Sequence, residues 1–70
     1  MDVTLRLLRE YRGMAQREVA KNLGVQQPAV SKMEHSTAIS FMGVVNYLRA
    51  LGGDIELRVR FPDRSKWRLL

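Results

Sequence analysis

The sequence predicts a mostly α domain in which four short helices are followed by a C-terminal β strand or hairpin. Three observations predict it. Apolar residues recur at three-and-four spacing in four stretches between residues 3 and 51. Glycines at 13, 24 and 52–53 close three of those stretches, and after Gly52-Gly53 the period becomes alternating.

From Val3 to Arg12, Leu5, Leu8 and Tyr11 form an apolar stripe widened by Leu7, with Asp2 or Thr4 as the cap and Gly13 as the stop. Gln16 to Leu23 reads as a second helix and Gln27 to Glu34 as a third. Pro28 fits the first turn of the third, where its missing N–H would have no helical partner. Ser40 caps a fourth helix, Phe41 to Leu51, with Phe41, Val44, Val45, Leu48 and Leu51 facing inward and Gly43 weakening its first turn by about 1 kcal/mol. Met14, Met33 and Met42 read as core fillers.

The stretch "DIELRVRF" then alternates Ile55, Leu57, Val59 and Phe61 with Glu56, Arg58 and Arg60, a strand with one buried side. "FPDRSK" reads as a turn, and "KWRLL" returns as a shorter strand with Trp67 and Leu69 on one face. The division is a domain at 1–51 and a β appendage at 54–70.

The 70 residues allow one small domain. With no cysteine there is neither a disulfide nor a thiolate metal site, which suits a reducing cytoplasm. No apolar run approaches the roughly 18 residues of a membrane span, and no signal segment opens the chain. Twelve Lys/Arg against seven Asp/Glu give a net charge of +5, which favours a polyanionic partner. The excess is spread thinly, at +1 over 1–15, 16–35 and 36–51 and +2 over 52–70, so no basic stripe is visible. One histidine and no paired carboxylates at useful spacing argue against an enzyme, a metal or a cofactor. The five aromatic residues are too scattered for an RNA-stacking platform.

Gly24 interrupts "QREVAKNLGVQQPAVSKMEH" while the apolar rhythm carries on through it. Glycine tolerates the left-handed backbone of a sharp corner. Ala20 leaves room for close helix packing, and Val19, Leu23, Val25, Val30 and Met33 fill the angle. Small residue, glycine corner and flanking apolars describe a helix-turn-helix, and the same spacing also serves a plain helical corner.

The stretch "LRLLREYRGMAQREVAKNLGVQQPAVSKMEHS" resembles the lambda-repressor/Cro (XRE) family, through Arg9 and Arg12-Gly13, Gln16 to Ala20, and Leu23 to Glu34; the match covers roughly residues 4–51. The resemblance implies a four-helix lambda-repressor-like domain whose third helix enters the major groove of double-stranded DNA. Gln27 is then the leading base reader, since its amide can pair bidentately with adenine. Gln26 and Lys32 are further candidates, and Pro28 and Ala29 offer apolar surface to a thymine methyl. Gln16 matches the family's phosphate-contacting position. Ser31, His35 and Arg17 are lesser phosphate candidates. Arg9 and Glu34 match an ion pair, a structural role.

One such motif reads few base pairs, so pairing of two chains is expected, with Ile55, Leu57, Val59, Phe61 and Trp67 forming the dimer strand. The strand folding back on its own helices is the alternative. "YLRALGGDIELRVRFPD" further resembles the end of HigA-type antitoxins, small XRE proteins encoded with RelE-like toxins. That implies a homodimer repressing its own operon and binding a toxin. In one departure, such antitoxins commonly carry an extra segment of some tens of residues before this domain. Two functions stay open: an operator-binding repressor, and a protein-interaction module that neutralises a toxin.

Overall fold

The computed structural model describes residues 3–70. Four helices, α1 (Leu5–Tyr11), α2 (Gln16–Leu23), α3 (Gln27–His35) and α4 (Phe41–Ala50), precede two strands, β1 (Arg58–Arg60) and β2 (Lys66–Arg68). Thr4 caps α1, its hydroxyl accepting the Leu7 N–H at 3.0 Å; the other predicted cap, Asp2, lies outside the described residues. Ser40 caps α4 in the same way through the Gly43 N–H. A Cβ at Gly43 would stand 3.0 Å from Ile39 Cγ1 and 3.1 Å from Ser40 Oγ, so this glycine is held by the tightness of the cap.

The predicted corner is present. Gly24 has φ +73°, and the Val25 N–H reaches back to the Ala20 carbonyl at 3.0 Å, closing α2 before α3 sets off in a new direction. Val19, Ala20, Val30, Tyr47, Ala50 and Leu51 form the buried core, with Leu5, Leu8, Met14, Leu23, Met33 and Leu48 packed against it. Two polar side chains tie helix ends across it: Arg12 Nε donates to the Leu51 carbonyl at 3.0 Å and Asn22 Nδ2 to the Ala50 carbonyl at 2.9 Å.

Several predicted core residues lie outside. Tyr11 is 85 % exposed and Leu7 about half exposed, because α4 covers α1 only along Leu5 and Leu8. Val25 is exposed at the corner, where its backbone, not its side chain, serves the turn. Phe41 and Met42 are exposed on the first turn of α4, ahead of the part that meets α2. The long predicted strand is also shorter. Its ladder covers Arg58–Arg60, with single bonds beyond it from Leu69 N–H to Leu57 O and from Phe61 N–H to Ser65 O. In this register Leu69 faces Leu57, and Ile55 has no residue opposite it within the 70.

The hairpin stands away from the helices. The radius of gyration is 14.1 Å and the molecule measures 45 × 23 × 22 Å, against a radius of about 11 Å for a compact chain of this length. The alternative in which the strand folds back on its own helices is not what the structure adopts.

Candidate nucleic-acid interface

The corner at Gly24 sets α3 with its N-terminal end facing out. Gln26, Gln27, Pro28 and Lys32 are exposed there, while Ala29 and Ser31 are half-buried and Val30 is fully buried beneath them. Proline in the first turn loses no helical bond, and Gln26 occupies the cap without a side-chain bond, so its amide is free of the helix. Gln16, Gln27, Pro28 and Ser31 line one shallow depression between the starts of α2 and α3. Arg17 is exposed on α2. At the far end of α3, His35 Nδ1–H donates to the Ser31 carbonyl at 2.7 Å, so the ring folds back along its own helix.

Beneath this surface lies a network of named atoms. Gln27 Nε2 donates to Gln16 Oε1 at 3.4 Å, and Gln16 Nε2 donates to Glu34 Oε1 at 3.0 Å. Arg9 grips the same carboxylate with both arms of its fork, Nε to Oε2 at 2.7 Å and Nη2 to Oε1 at 3.2 Å. Its remaining arm donates to the Met14 carbonyl. The Tyr47 hydroxyl donates to Glu34 Oε2 at 2.7 Å. Glu34's side chain is 1 % exposed, and an unpaired carboxylate at that depth would be costly. Burial pushes its pKa up, but the hydrogen bonds from Arg9, Tyr47 and Gln16 outweigh it and hold the carboxyl down at about 2. The bond to Glu34 raises Arg9 in turn, and burial next to that carboxylate pushes the Tyr47 phenol well above its ordinary range.

The Arg9–Glu34 pair that the resemblance implied is present. The Gln16 amide is the link between the exposed Gln27 and the buried carboxylate. Tyr47 was missed. Its spacing three residues after Val44 and four before Leu51 admitted it to the buried stripe of α4, but nothing local announces that its hydroxyl meets Glu34.

On the hairpin, Val59 faces Trp67 and Leu57 faces Leu69, with Phe61 two residues beyond Val59 on the same side. Trp67 and Leu69 are about 60 % exposed and Phe61 half exposed, so one face of the ribbon is an uncovered apolar surface. The opposite face carries Arg58, Arg60, Lys66 and Arg68. The basic stripe that the linear sequence did not display is assembled here, because strand alternation and cross-strand register bring together charges that the chain separates.

A glycine corner, a half-exposed second helix of the pair and an amide-lined surface at its N-terminal end define a helix-turn-helix domain. Residues 3–60 match the family described as a helix-turn-helix domain, and the chain belongs to that family. Among solved structures it is similar to a HigA antitoxin described for induced DNA bending by unique dimerization, at 28% identity and a TM-score of 0.84, covering 99% of this chain and 93% of that one. It is also similar to the DNA-bound antitoxin HigA3, at 29% identity and a TM-score of 0.85, covering 100% of this chain and 92% of that one. No functionally curated protein matches the chain. Among the described residues, no helix is long and apolar enough to cross a membrane.

Proposed function

We propose that this chain is a sequence-specific DNA-binding protein that acts as a homodimer on an inverted-repeat operator and represses transcription, as the antitoxin of a toxin–antitoxin operon in the cytoplasm. The observation that carries this reading is the amide pair formed by the first residues of α2 and α3. Gln27 is exposed where a groove-reading helix presents its base contacts, and Gln16 holds it. A side chain partly held before binding loses less entropy on contact. Gln27 reads a base edge, with Gln26, Lys32, Pro28 and Ala29 around it. Gln16, Ser31, Arg17 and His35 lie toward the phosphates. The DNA-bound state of a neighbour of nearly the same length supports the assignment.

The dimer forms through the hairpin's apolar face, with Ile55, Leu57, Val59, Phe61 and Trp67 buried between chains. Two reading helices then address half-sites about 34 Å apart.

Selection of bound duplexes from random DNA tests the reading, with an enriched palindrome as the expected result. Gln27→Ala should lose about 1–3 kcal/mol on the selected site and relax preference at one base pair. Gln16→Ala removes both a phosphate contact and the tether, so it should weaken every sequence and also blur the same base pair. If Gln27→Ala keeps the wild-type ratio of selected to scrambled binding, the reader is misassigned.

A second reading, a module whose main role is to neutralise a RelE-like toxin, is favoured by the antitoxin neighbours and by the exposed apolar residues Leu7 and Tyr11 on α1 and Val3 just before it. Co-purification of a toxin lost on Leu7→Asp would support it.

A further inference from the structure

The basic face of the hairpin is arranged against its own stability. Arg58 lies directly opposite Arg68, and Arg60 opposite Lys66. Like charges facing across a ladder destabilise it, and an isolated two-stranded ribbon is marginal to begin with. Glu56 offsets part of the repulsion, bridging Arg58 at 3.1 Å and Arg68 at 4.0 Å. Arg60 and Lys66 have no carboxylate within 4.0 Å among the described residues. All four cations are exposed, and Arg58, Lys66 and Arg68 border one shallow cleft together with the edge residue Trp67.

We propose that this face is a second DNA contact, a phosphate clamp separate from α3 that grips the duplex backbone and reads no bases. The inference rests on the DNA-binding reading above and adds a surface to it. A polyanion relieves the repulsion that the register imposes, and guanidinium forks match phosphate oxygens in pairs. Because the apolar face is taken up by pairing, the basic face stays outward in the dimer, once per chain. Charged edges also serve to block strand-on-strand aggregation, and that bland role predicts a different outcome in the test below.

The test compares the full chain with Arg60→Gln/Lys66→Gln, measuring affinity for the selected palindrome and for scrambled duplex across a salt series. Removing one like-charge pair should leave the melting temperature equal or higher and the sedimentation dimer intact. The slope of log affinity against log salt should become shallower by about 0.9 for each lost phosphate contact, close to two per chain. The ratio between palindrome and scrambled DNA should not change, and Arg60→Lys/Lys66→Arg should keep the wild-type slope. An unchanged slope overturns the clamp, as does a collapse of the ratio or a loss that merely tracks dissociation of the dimer. If the wild type itself shows no site preference, the operator reading fails, and the slope comparison still decides the clamp.

Discussion

The Glu34 carboxylate should make the fold acid-sensitive in a defined window. Its ordinary pKa of 4.5 falls to about 2 in the folded chain. Between those values the unfolded state binds a proton that the folded state refuses. Stability therefore rises with pH across the window, is fully present above about pH 5, and is lost as pH falls from 4.5 toward 2. The shift corresponds to about 3 kcal/mol, at roughly 1.4 kcal/mol per unit. For a domain this small, with a few kcal/mol of stability to spare, that is a large share. Urea unfolding at a fixed protein concentration, repeated from pH 2 to 7, measures the loss. Glu34→Gln supplies the control, because it cannot titrate. It should be destabilised at pH 7, where it leaves Arg9 facing a neutral amide, and should converge on the wild type near pH 2. Other carboxylates add a background slope, Asp63 among them through its bonds from Ser65, but they do so equally in both proteins. If the difference between wild type and Glu34→Gln stays constant from pH 7 to 2, the buried carboxylate is not held as described.

Tyr47→Phe removes one donor to a buried charge and should cost about 1.5–3 kcal/mol in the same urea assay, with Gln16 and Gln27 side-chain amide signals losing dispersion in NMR spectra. Gly24→Ala meets no atom within 4 Å, so its whole cost is the left-handed backbone at φ +73°, about 1–2 kcal/mol. A thermal melt should therefore fall by several degrees. Trp67→Ala should leave helical circular dichroism unchanged while weakening the dimer about a hundredfold in sedimentation, as expected for an apolar side chain worth about 1.5 kcal/mol at the seam in each of two chains; an unaltered dimer would place the seam elsewhere.

Local chemistry made much of the molecule legible. The four helices fall within a residue or two of their predicted bounds, because caps such as Thr4 and Ser40 and stops such as Gly13 and Gly24 act on their own neighbours. The change of period after Gly53 announced the strand in the same way. The corner at Gly24 was readable because glycine takes the left-handed backbone of a sharp turn and apolar residues such as Val19 and Val30 flank it on both sides. The Arg9–Glu34 pair came from resemblance, and no spacing within this sequence would have found it.

What the sequence determined by itself is therefore the set of elements, the corner and the identity of the side chains carried by α3, all properties of short range. Only the tertiary structure decided which of those side chains meet. The placement of α4 beside the end of α3 brings the Tyr47 hydroxyl onto Glu34, and the corner between α2 and α3 makes Gln16 a tether. The short reach of α4 over α1 leaves Leu7 and Tyr11 outside. The register of two three-residue strands turns a thinly spread charge into a basic face. Each outcome depends on where two distant segments cross, and an angle or a register is written in no single stretch of the chain.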